Sequence, residues 1–85
     1  PFKTHDIMTR GIKKAEVESA IAKLTEAKEI IDALATQMEE YFEERSEAWQ
    51  EGEGGDAYSE KMQSVEMAQG WTEESIELLE ELIEG

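Results

Sequence analysis

Cysteine is absent from the chain, so disulfides and thiolate chemistry are excluded. The single proline is Pro1, so no proline interrupts a helix downstream. The single histidine is His5. A lone imidazole with no carboxylate at a recognised ligand spacing is poor material for a metal site or proton shuttle. No apolar run approaches the roughly 20 residues that span a bilayer. The N-terminus has no apolar signal-peptide core, so secretion is not expected, and Pro1 is compatible with removal of an initiator methionine. The absence of cysteine fits a cytoplasmic setting, which is the expectation. Positive charge is scarce: eight Lys/Arg stand against 22 Asp/Glu, a formal charge of −14. Six of those basic residues lie in residues 1–28, against four acidic ones, and the remainder is almost wholly acidic. Such a surface repels nucleic acid and anionic membrane and favours basic partners, and it also keeps a small protein soluble.

What remains is rich in alanine, glutamate, lysine and leucine, all good helix formers. Eighty-five residues make one small domain, and the composition predicts an all-α fold. From Lys13 to about Gln50 apolar positions recur in alternating steps of three and four. Val17, Ile21, Leu24, Ile31, Ala35, Met38, Phe42 and Trp49 form the seam, with Lys28 and Arg45 as polar interruptions. A second row, Ala20, Ala27, Leu34, Tyr41 and Ala48, with Ile30 near it, widens the apolar face beyond a two-stranded seam. From about Ala57 to Glu84 the period resumes through Tyr58, Met62, Val65, Ile76, Leu79 and Ile83, with Gln69 and Thr72 as polar members.

Between these stretches stand Gly52, Gly54 and Gly55. Glycine takes positive φ without steric cost, so Gly52 or Gly54 is expected to end the first helix in a left-handed cap. Asp56 is the expected N-cap of the next helix. The predicted architecture is an antiparallel two-helix hairpin: a long helix over about 13–50, a turn over 51–56 and a helix over about 57–84. Residues 1–12 form an arm or a short helix capped by Asp6. A break at Gly70, with Thr72 capping a third helix, is the alternative to a continuous second helix. Folding about the glycines pairs Trp49 with Tyr58, Phe42 with Val65 and Leu24 with Ile83, and leaves Val17 and Ile21 overhanging.

A single hairpin buries little, so a second layer is expected. Leu34 and Tyr41 on one helix, with Trp71, Leu78 and Leu82 on the other, are the candidate interface. Through them a homodimer would form a four-helix bundle.

Residues Glu44-Arg45-Ser46-Glu47-Ala48-Trp49-Gln50-Glu51, then Gly55, Tyr58, Glu60-Lys61, Glu66–Ala68 and Leu79–Leu82, resemble small acidic helical proteins of bacterial, plasmid and phage genomes. Those carry an ERSEKWQES-like helix end, a short glycine turn and a tyrosine-containing return helix. The resemblance covers roughly residues 40–82. It implies a helical hairpin and a mobile-element origin, with no assigned activity and no site residues. The chain departs from the pattern at Gly70-Trp71-Thr72.

No motif carries chemistry. A di-metal carboxylate bundle needs Glu-x-x-His pairs, and none occurs. EGEGGD is too short for a calcium loop. No phosphate loop and no Ser/His/Asp set is present. The expectation is a non-enzyme without cofactor or metal, acting as a protein–protein interaction module. Direct nucleic-acid binding is not expected, although Lys3, Arg10, Lys13 and Lys14 are suited to phosphates. One alternative is an acidic decoy of a nucleic-acid-binding protein, using Glu39, Glu40, Glu43, Glu44, Glu47 and Glu51 in place of phosphates. The other is a structural or assembly component.

Overall fold

A computed structural model describes residues 11–84. The expectations for the arm, including the Asp6 cap, His5, Lys3 and Arg10, lie outside those residues. Helix α1 spans Lys14–Glu44, α2 Glu47–Glu51 and α3 Glu53–Ile83, and no strand occurs among the described residues. α1 contains neither glycine nor proline over its 31 residues. The hydroxyls of Thr25 and Thr36 donate to the carbonyls of Ile21 (2.8 Å) and Asp32 (3.2 Å), a bond that lets threonine sit inside a helix.

The first helix ends earlier than its sequence period suggests. Arg45 and Ser46 are extended, with ψ of 159° and 155°, so the expected helix over 13–50 stops at Glu44. Two side chains hold the break. Ser46 Oγ accepts from the backbone N–H of Trp49 at 3.2 Å and caps α2. Gln50 Nε2 donates to the carbonyls of Phe42 and Arg45, both at 2.9 Å, adding to the Arg45 N–H (3.2 Å) at the Phe42 carbonyl where the helix ladder ends.

The glycines act differently from the expected left-handed cap. Gly52 joins α2 to α3 in an extended conformation (φ −94°, ψ −167°), and among the described residues only Gly11 has positive φ. α3 starts at Glu53, so Asp56 lies in its first turn rather than capping it, and the expected turn over 51–56 is mostly helix. Gly54 and Gly55 are there for close approach. A Cβ on Gly54 would lie 2.4 Å from Trp49 Nε1, and one on Gly55 would lie 1.9 Å from the carbonyl oxygen of Gln50. α3 then runs unbroken through Gly70 to Ile83. The hydroxyl of Thr72 donates to the Ala68 carbonyl at 2.6 Å instead of capping a new helix.

The two long helices lie against each other in opposite directions. Phe42 meets Tyr58, with ring centroids 6.5 Å apart. Ala35 and Met38 share a cleft with Met62 and Val65, and Asp32 accepts from Gln69 Nε2 at 2.7 Å. This register differs from the expected one by one heptad, since Phe42 was to meet Val65. The break at Arg45 moves the fold point toward the N-terminus, and a slip of seven leaves every seam residue on the seam. It also removes the expected overhang: both long helices have 31 residues, and the observed register sets Val17 level with Ile83. All the named seam residues of both helices are half-buried.

The polar interruptions meet one another. Lys28 Nζ donates to Asp32 Oδ2 at 3.0 Å, and Asp32 Oδ1 takes the Gln69 amide. These two bonds, Gln69 first, hold the Asp32 carboxyl below its ordinary value. Its folded form therefore binds fewer protons than the unfolded chain in acid. The stabilisation is present above the unfolded value and is lost as pH falls through the folded one. Asp32→Asn should melt below wild type at about pH 7, and the gap should close in acid, as pH falls below the ordinary carboxylate range and through the lowered folded-state value. Melting curves that stay apart in acid would show that the charge of Asp32 is not what matters.

Candidate protein-interaction face

Two antiparallel helices of the same hand present like flanks of their seams on the same side. At about 100° per residue, Leu34 and Tyr41 lie on one flank of the α1 seam with Ile30 just beyond. On α3, Leu82 lies on the corresponding flank with Trp71 and Leu78 just beyond. All six therefore share one side of the helix pair, and Ile30 stands level with Trp71. These side chains are exposed: Ile30 by 70%, Trp71 by 65% and Leu78 by 56%. Met67, also exposed, lies on the back of α3, opposite its seam.

The opposite side is acidic. Glu29, Glu39 and Glu43 of α1 lie there with Glu66, Glu73, Glu77 and Glu80 of α3, all exposed. Glu39 and Glu66 line the same shallow cleft over Met38 and Val65, which places the two flanks together. The helix pair is thus two-faced, with apolar residues on one side and carboxylates on the other.

The five candidate interface residues fall into two situations. Leu34, Trp71, Leu78 and Leu82 project from the apolar side with no aromatic or polar bond holding them. Tyr41 is partly engaged at the corner. Its ring lies 5.0 Å from that of Tyr58 and 6.1 Å from Trp49, and Arg45 Cζ sits 4.2 Å from its centroid. Ile30 and Met67 belong to the exposed set although they lie off the Ala27–Leu34–Tyr41 row. Their signal in the sequence was a large apolar residue outside the seam.

The candidate acidic residues do not form one ridge. Glu39, Glu40, Glu43 and Glu44 wind around the last turns of α1, and the break at Arg45 separates them from Glu47 and Glu51 on α2. All six are exposed. Among the described residues no three His, Asp or Glu side chains are grouped so as to hold a metal ion. No helix among them is long and apolar enough to cross a membrane. The chain matches no family model, and no curated protein or solved structure matches it.

Proposed function

We propose that the chain is a non-enzymatic protein–protein interaction module: a helical hairpin whose apolar side docks on another protein surface. The observation that carries this reading is the one-sided exposure of Ile30, Leu34, Trp71, Leu78 and Leu82. Scattered surface leucines are ordinary, but large apolar side chains gathered on one side of a rod mark a contact surface. Tryptophan at the middle of such a patch is the residue type that most often dominates binding energy.

The test compares wild type with the double variant Trp71→Ser/Leu78→Ser for association with itself and with proteins of a cell extract. Association should be lost in the variant, which should keep its helical circular dichroism. It should change little between low and high salt, because apolar contacts are not screened.

The acidic side supports a second reading, occupation of a basic, nucleic-acid-binding surface. Association would then survive the apolar variant, weaken steeply with salt and be reduced by Glu39→Gln/Glu43→Gln. That pattern would replace the first reading with the second.

A further inference from the structure

We infer that the occupant of the apolar side is a second copy of the chain, packed face to face with the two corners at opposite ends. This inference rests on the interaction reading above and names its partner. Burial gives the first argument. Among the described residues only Gly55 is buried, and every apolar seam residue is half-buried at best. The molecule is only 17 × 14 Å across at the Cα level, a single layer of two helices. One face of each seam is therefore still open to water. A second layer covers it, and a second copy is always present at the concentration of the first.

Side-chain size gives the second argument. Along the flank of α1 the small members, Ala20 and Ala27, lie toward the open end, and the large ones, Leu34 and Tyr41, toward the corner. Laid head to tail about a two-fold axis near Ile30, two copies bring Tyr41 over Ala20 and Leu34 over Ala27. The same axis passes Trp71 of α3, so the two Trp71 rings meet there, and Leu78 falls over Ser64. Large meets small at Tyr41/Ala20, Leu34/Ala27 and Leu78/Ser64, as close packing requires, while Ile30 and Trp71 meet their own copies on the axis.

Charge gives the third argument. Residues 36–65, the corner end, carry nine acidic and two basic residues. The open end, residues 13–25 with 76–84, carries six acidic and three basic ones. Placing corner on corner opposes the two most negative ends. Head to tail, Lys13 and Lys14 approach Glu44 and Glu47 of the other copy instead.

Because the chain has no cysteine, introduced thiols report the arrangement without background. Light scattering of wild type should give twice the 9.6 kDa chain mass. Oxidising an equimolar mixture of Ala20→Cys and Tyr41→Cys chains should give a covalent dimer, whereas neither variant alone should. Within either homodimer the two thiols would be about 30 Å apart along the rod. A covalent dimer from Tyr41→Cys alone, and none from the mixture, would overturn the head-to-tail arrangement. Monomer at every concentration would overturn the second copy as occupant and leave the module to a different partner. A dimer that persists in Trp71→Ser/Leu78→Ser would overturn both this inference and the apolar side as the contact surface.

Discussion

A Gly55→Ala chain is expected to lose about 2–3 kcal/mol of stability, a cost typical of overpacking a filled site. Gly55 is the one buried position among the described residues. Its α-carbon lies against the main chain of Gln50, so an added Cβ would sit 1.9 Å from the Gln50 carbonyl oxygen and 2.4 Å from its carbonyl carbon. Backbone cannot rotate aside as a side-chain tip can. Either α2 moves away from the start of α3, or the corner opens. Gln50 is also the residue whose amide holds the carbonyls of Phe42 and Arg45, so displacing it releases the end of α1. Gly54→Ala should also destabilise, because its new methyl would meet the Trp49 indole and push it off the rings it packs against.

Gly70→Ala is the internal control. Nothing lies within 4 Å of a Cβ at that position, in the exposed middle of α3. Alanine there should stabilise by roughly 0.5–1 kcal/mol through the lower entropy of the unfolded chain. Thermal melts by circular dichroism at equal chain concentration should move in opposite directions for the two variants. A Gly55→Ala melt equal to or above wild type would mean that the corner is not the close contact described.

The contrast between these glycines shows where sequence reasoning succeeds. The seam could be read because periodicity is a local property: Val17 to Phe42 and Tyr58 to Ile83 alternate in threes and fours wherever the chain turns. The register could not be read, because a seven-residue period is unchanged by a seven-residue slip. It is set by the corner, whose first determinant is Ser46 rather than the glycines. A serine three residues before Trp49, at the start of Glu47-Ala48, is a helix-start signal in its own right. The long favourable run on either side hid it. Glycine permits both positive φ and close approach, and the sequence does not distinguish these uses. Asp32 was missed for a similar reason. It reads as one more surface acid, although its spacing of four from Lys28 allowed the ion pair that, with Gln69, forms the polar layer between the helices. The apolar side was more legible: Leu34, Trp71, Leu78 and Leu82 stand off the seam in the sequence and are exposed in the fold.

Trp49→Ala is expected to be the second large loss, about 2–3 kcal/mol. That is below the ~3–5 kcal/mol of a fully buried tryptophan, because this indole is only half-buried. Trp49 is the centre of the corner. Its ring packs edge-on to Phe42 at 5.8 Å and to Tyr41 at 6.1 Å, and lies 5.8 Å from Tyr58. Those contacts tie the end of α1 to the start of α3 through a helix of only five residues. Five residues cannot hold a helical conformation on their own, so α2 persists because the indole anchors it and Ser46 caps it. Alanine removes the anchor and leaves the cap. The loss should therefore exceed that of Ser46→Ala, for which about 1 kcal/mol is usual for an N-cap. Trp49→Phe should recover part of it, since a smaller ring still reaches Phe42 and Tyr58. Hydrogen exchange would locate the damage. Amides of Trp49 to Asp56 should lose protection first, whereas those around Asp32 and Gln69 should keep theirs until global unfolding. Uniform loss along both long helices would instead mean that the corner and the seam unfold as one unit.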